Sequence, residues 1–130
     1  MRELQEECGL IVNEDDVRQI GMILFDFVGD DFFIEMNIFK TKKFTGVVQE
    51  SEEMKPKWFP VSEIPFSEMW ADDIDWYPIM LRDDMFYGHM KFKGHETILN
   101  EDITLVTSLK EMYSVHEKTL EAYSMKHIDC

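Results

Sequence analysis

Residues 20–28 carry apolar side chains on both faces of an extended chain. Met22 and Leu24 point one way, Ile23, Phe25 and Phe27 the other, and Asp26 interrupts. That pattern predicts a strand covered on both sides. Gly29-Asp30-Asp31 predicts a hairpin-type turn. Residues 32–39 alternate apolar and polar and predict a strand paired with the first. Upstream, residues 3–8 read as the end of a helix with Gly9 at C′, and residues 13–16 as a turn. Downstream, Thr45-Gly46 predicts a turn and residues 57–61 a strand. A loop then runs from Ile64-Pro65-Phe66 to Trp70-Ala71-Asp72-Asp73. Asp72 or Asp73 can N-cap a helix over residues 74–81, distorted at Pro78. Residues 86–92 and 97–99 predict strands on either side of Gly94. Beyond Leu99, Ile103, Val106, Tyr113 and Leu120 follow a helical period, and residues 108–126 predict an amphipathic helix docked on the sheet. Its polar face is mixed in charge, which disfavours a membrane-surface role.

At 130 residues, with 45% hydrophobic and 13% aromatic side chains, the chain has enough material for one packed core. Its longest apolar runs, such as Met22-Ile23-Leu24-Phe25, are far too short to span a membrane, and the charged N-terminus does not read as a signal peptide. Cys8 and Cys130 make no disulfide framework and fit a reducing compartment. A net charge of −14 argues against a nucleic-acid polymer as partner. It leaves room for a free nucleotide, which arrives with Mg²⁺. There is no P-loop or G-x-G-x-x-G; His95-Glu96 and His116-Glu117 lack the second His of a zinc-protease helix, and Asp30-Asp31 and Asp83-Asp84 lack EF-hand spacing. His89, His95, His116 and His127 are expected at the surface.

The densest chemistry lies in Arg2-Glu3-Leu4-Gln5-Glu6-Glu7-Cys8-Gly9-Leu10. Glu3, Glu6 and Glu7 share one helix face by their spacing. Three carboxylates so placed repel, and the helix C-terminus disfavours them further. A hard divalent cation reverses both penalties. A solvated acidic turn is the competing reading of these residues alone. Their order resembles the second half of the Nudix box, G-x5-E-x7-R-E-U-x-E-E-x-G-U, with U a bulky apolar residue. Arg2, Glu3, Glu6, Glu7 and Gly9 fall on its fixed positions, and Leu4 and Leu10 on its apolar ones. The resemblance continues through Phe25-Asp26-Phe27-Val28-Gly29, residues 50–56, residues 64–73 and Lys91-Phe92-Lys93-Gly94. By these segments, from Arg2 to about Leu99, the chain is identified as a member of the Nudix hydrolases. It is similar to the vertebrate MutT-type branch that sanitises oxidised purine nucleoside triphosphates.

The resemblance implies an α/β (α+β) fold, a Nudix-type mixed sheet with flanking helices. The box's first Gly and first Glu would lie before Met1, so the domain is expected to be incomplete at its N-terminus. Residues 1–100 are expected to form a partial Nudix domain and residues 101–130 a C-terminal strand/helix extension. The implied activity is Mg²⁺-dependent hydrolysis, with Mn²⁺ as an alternative, of nucleotides such as 8-oxo-dGTP or 2-hydroxy-dATP to monophosphate and pyrophosphate. Glu3, Glu6 and Glu7 are implied as catalytic metal ligands, with Glu53 approaching from a separate loop and Arg2 orienting a carboxylate. Phe25, Phe27 and Phe92 are implied as apolar walls of the substrate pocket, Trp70 as a stacking face, and Asp72-Asp73 as the reader of the purine edge. Helix capping is the alternative role for the Asp pair, and core packing for each Phe. The expected partner is a small nucleotide, with no nucleic-acid polymer or membrane, and the protein is expected to be a cytoplasmic monomer, nuclear or mitochondrial pools being alternatives. The opposing reading is a catalytically impaired Nudix fragment that binds a partner or does not fold stably.

Overall fold

The computed structural model describes residues 6–30, 32–52, 57–94 and 96–128, with 123–128 as helical backbone. Among them are six strands: β1 (Leu10–Ile11), β2 (Arg18–Phe27), β3 (Phe33–Lys40), β4 (Thr45–Gly46), β5 (Met85–Lys93) and β6 (Thr97–Val106). Two helices, α1 (Asp73–Leu81) and α2 (Leu109–Ile128), accompany them. The chain divides into two compact units, Met1–Arg18 with Phe39–Pro65, and Gln19–Ile38 with Phe66–Cys130. No helix among the described residues is long and apolar enough to cross a membrane.

In the first unit, residues 6–8 close a helical turn that ends at Gly9. Gly9 has φ +83°, a left-handed conformation that glycine adopts without a Cβ penalty. A Cβ there would stand 2.4 Å from the Val47 carbonyl oxygen. The chain then enters β1, which pairs antiparallel with β4, Leu10 opposite Gly46 and Ile11 opposite Thr45. The turn expected at Thr45-Gly46 is therefore a short strand. Gly46 serves the close approach of two backbones, since a Cβ on it would meet the Gly9 carbonyl oxygen at 2.5 Å. The Gln49 N–H donates to the Cys8 carbonyl at 2.8 Å and extends the same crossing.

Asn13 caps a short 3-10 turn, Glu14–Asp16, its side chain accepting from the Asp15 N–H at 3.1 Å. The strand expected over 57–61 is absent: residues 57–60 have no regular structure, and a 3-10 turn, Val61–Glu63, follows. Pro60, at the N-cap of that turn, has no N–H to give a ladder. The aromatic residues that suggested a strand pack locally. Trp58 stacks on Phe44 with centroids 5.3 Å apart, and the Lys57 ammonium lies 5.3 Å from the Phe59 ring.

The second unit is built on a four-stranded sheet in the order β3-β2-β5-β6. β2 and β5 run parallel, from Gly21 opposite Phe86 to Phe27 opposite Phe92, while β5 and β6 run antiparallel. The sheet is mixed and helices flank it. On one face Ile23, Phe25 and Phe27 pack with Phe86, Met90, Phe92 and with Trp76 of α1. On the other, Met22 and Leu24 pack with Tyr87, Val106 and Met112 of α2. This double cover is why β2 is apolar at consecutive positions.

β6 is longer than the 97–99 segment expected. It pairs with β5 as far as Val106 opposite Met85, so residue 100 lies inside a strand. Ile103 and Val106 mimicked a helical period, and the ladder with β5 overrode it. α2 begins close to the expected boundary. Ser108 Oγ accepts from the Glu111 N–H at 3.1 Å, and the Glu111 carboxylate accepts from Thr107 N–H and Oγ–H at 2.9 and 2.7 Å. This is reciprocal N-terminal capping.

Two histidines expected at the surface are engaged. His116, on α2, is only 6% exposed. Its Nδ1 is 2.7 Å from the Tyr87 hydroxyl and its Nε2 3.1 Å from Glu35 Oε2. α2 turns His116 onto the sheet, where Tyr87 and Glu35 satisfy both ring nitrogens. His89 Nε2 is 2.7 Å from Asp26 Oδ2, which explains the acidic interruption of β2. His95 and the side chain of His127 lie outside the described residues.

Candidate functional site

α1 opens on two carboxylates. Asp72 holds the N-cap position, yet its backbone is already helical at φ −79°, ψ −19°, and its side chain makes no capping bond. The capping role open to Asp72 is therefore not the one it takes. Its side chain is fully buried, at 0% exposed. Oδ2 accepts from the Trp76 indole N–H at 2.9 Å, one turn along the helix. Oδ1 is buried and has no hydrogen-bond partner among the described residues. An unmet buried acceptor costs about 1–3 kcal/mol, so such an atom calls for a proton or a ligand.

Burial pushes the Asp72 carboxyl above its usual range, against the Trp76 hydrogen bond, and the Asp75 charge pushes it further. Burial, then the Asp72 charge, lifts Asp73 to about 6. Tyr77 is raised by burial first and then by Asp73 and Asp72. Two adjacent carboxyls so placed resist double ionisation and share a proton.

Both line a cavity of about 340 Å³. β2 supplies Phe25 and Phe27 to its wall, β3 supplies Ile34 and Met36, and Trp70, Trp76 and Tyr77 complete it. The lining is aromatic and aliphatic apart from the two carboxyls, the usual composition of a small-molecule site. Phe92 is not in the lining. It is fully buried behind the wall, its ring 5.9 Å from Phe25, 6.0 Å from Phe27 and 5.8 Å from Trp70. It braces the aromatic residues that face the cavity.

Four lining residues were not singled out from the sequence. Ile34 and Met36 sit two apart on β3 and so point to one face. Trp76 and Tyr77 lie four residues beyond Asp72 and Asp73, the spacing at which helix side chains meet. Both periodicities were available; only the cavity tells which face matters.

The carboxylates of the box segment belong to the other unit. Glu6 is exposed and Glu7 partly so, in the turn that ends at Gly9. Glu3, Glu53 and Arg2 lie outside the described residues. Among the described residues no three His, Cys, Asp or Glu side chains gather closely enough to hold a metal ion. Glu6 and Glu7 offer only oxygen donors, which suits a hard cation and not a thiophilic one.

The second unit's mixed sheet and flanking helices have a counterpart of known structure. The chain is similar to the crystal structure of a MutT protein from Bacillus halodurans, with a TM-score of 0.68 over 78% of this chain and 69% of that one. At 22% identity that likeness fixes the fold, which is a Nudix fold. No protein-family model matches the chain. It is 44% identical over 108 residues to the oxidized purine nucleoside triphosphate hydrolase of Danio rerio, covering 83% of this chain and 68% of that protein. It is 42% identical over 107 residues to the protein of the same name from Mus musculus, covering 82% and 67%. The chain belongs to the MutT-type Nudix hydrolases. Hydrolases of this family generally act with a divalent metal ion.

Proposed function

We propose that this protein hydrolyses oxidised purine nucleoside triphosphates, of the 8-oxo-dGTP and 2-hydroxy-dATP kind, to monophosphate and pyrophosphate. The observation that carries the reading is Asp72: a wholly buried carboxyl with one unmet oxygen, beside a second carboxyl, in an aromatic cavity. One proton held between Asp72 and Asp73 leaves one group to donate and one to accept. That pair can read a purine edge whose own donors and acceptors oxidation has rearranged. Trp70 offers a stacking face, and Phe25 and Phe27 exclude water around it. Removing water strengthens each of these hydrogen bonds.

Glu3, Glu6, Glu7 and Glu53 would hold the divalent cation, Mg²⁺ or in its place Mn²⁺. When bound, the cation neutralises phosphate charge and activates water for attack on phosphorus. Arg2 would orient one of these carboxylates. The net charge of −14 supports a free nucleotide as substrate, since a phosphate polymer would be repelled. In this reading the protein works as a cytoplasmic monomer that clears damaged nucleotides. A catalytically silent binding module is not favoured, because relatives 42% and 44% identical to this chain are named as hydrolases.

The test is pyrophosphate release from a panel of nucleoside triphosphates with and without Mg²⁺. Oxidised purines should turn over faster than dGTP or dATP, and only with the metal. Release from no purine triphosphate, or release indifferent to Mg²⁺, would sink the proposal. Within it, Glu7→Gln should lower kcat by several orders of magnitude, roughly 10²–10⁴-fold or more, with unchanged thermal unfolding. Near-normal Mg²⁺-dependent turnover of that variant would remove Glu7 from the metal site.

A further inference from the structure

The pocket wall that β3 supplies is held from behind. Ile34 and Met36 line the cavity. Glu35 and Asn37 alternate with them and point to the opposite face of the sheet. α2 covers that face. His116 of α2 donates from Nε2 to Glu35 Oε2 at 3.1 Å, since a carboxylate can only accept. The Tyr87 hydroxyl on β5 serves the other ring nitrogen, Nδ1, at 2.7 Å. A second tie runs beside the first. The Tyr113 hydroxyl of α2 donates to Gln19 Oε1 at 3.1 Å, and Gln19 Nε2 donates to Asn37 Oδ1 at 2.9 Å. α2 thus reaches β3 at both residues that flank Met36.

Without that grip little else fixes this wall. β3 is an edge strand of its sheet, with β2 as its one neighbour among the described strands. Ile34 is half exposed, so packing holds it weakly. Its place depends on where the backbone is set. We infer that α2 braces the pocket, and that His116 and Glu35 are positioning residues that hold Ile34 and Met36 against the bound base. The role rests on the function proposed above, and both residues act through β3 without touching substrate. Releasing Glu35 leaves the ladder between β3 and β2 in place but lets the wall move. A wall free to move grips a base less tightly and less selectively. Asp72 and Asp73 stand on α1, outside this linkage, so the loss falls on KM and on base preference, and kcat stays.

Amide hydrogen exchange of the full chain without nucleotide tests the brace. Glu35→Ala and His116→Phe should each speed exchange of the slow amides in residues 33–38 by roughly tenfold, the effect of about one hydrogen bond. Glu35→Gln keeps a carbonyl oxygen for His116 Nε2–H and should restore slow exchange. Glu117→Gln, at an exposed position of α2, should leave it unchanged. In turnover, the preference for 8-oxo-dGTP over dGTP should fall roughly threefold to tenfold in Glu35→Ala, through KM with kcat kept, and return in Glu35→Gln. Should His116→Phe fail to fold, Glu35→Ala, a change at an exposed side chain, decides alone. Exchange unmoved in Glu35→Ala, or equally fast in Glu35→Gln or Glu117→Gln, overturns the brace. Exchange that quickens while KM and preference stay overturns the positioning role. A wild-type protein that turns over no purine triphosphate counts against the proposed function, while exchange still decides the brace.

Discussion

A carboxylate just ahead of α1 would ordinarily spend its oxygens on backbone N–H groups, and Asp72 gives one to the Trp76 indole and leaves the other unmet. Two consequences follow at the scale of single residues. Asp72→Asn keeps the shape but fixes which atoms donate. It should weaken oxidised purines selectively, by about 1–3 kcal/mol in kcat/KM. Equal losses on oxidised and ordinary nucleotides would show that the pair does not read the base. The second consequence is for stability. Asp73 has an ordinary value of 3.8 and a folded value of about 6. Between the two, the unfolded chain has released the proton and the folded chain retains it, so stability falls as pH rises through that window. Asp73→Asn escapes this loss. Its thermal midpoint should gain on the wild type between pH 3.8 and about 6 and keep a constant lead above that. A lead that shrinks with rising pH would contradict the assignment.

Elements were legible where a period runs long enough to be seen. β2, β3, β5 and both helices announce themselves by alternation or helical spacing, and β2 and α2 even by their covered faces. β1 and β4 do not, because two residues carry no period. Their pairing is written instead in Gly9 and Gly46, whose missing side chains let two backbones pass. Residues 57–60 fail in the opposite sense, being rich in aromatic residues and ended by Pro60. In the pocket, Phe25, Phe27, Trp70, Asp72 and Asp73 could be named from family likeness. Ile34, Met36, Trp76 and Tyr77 could not, since an apolar residue on a core face looks the same whether it meets packing or a ligand. His116 was hidden because a lone histidine on a helix gives no sign of which way the helix turns. Gly9→Ala should cost at least about 1–2 kcal/mol from the left-handed backbone alone, with the Val47 contact adding to it. Urea unfolding would measure this, and an unchanged midpoint would mean the crossing relaxes freely. His116→Phe strands the Tyr87 hydroxyl and should cost about 1–3 kcal/mol.

For the molecule as a whole, the pairing of β2 with β5 sets the order of assembly. Gly21 and Phe86 are register partners, yet half the chain lies between them. Closing a loop of that length costs conformational entropy before any contact repays it. β5 and β6 need no such closure, because Gly94 and a few neighbours bring them together. Folding should therefore nucleate on the β5–β6 hairpin, with β2 joining late and limiting the rate. In stopped-flow refolding, Ile103→Val on β6 should slow folding, whereas Ile23→Val on β2 should mainly quicken unfolding. The reverse pattern would place the parallel pairing in the nucleus.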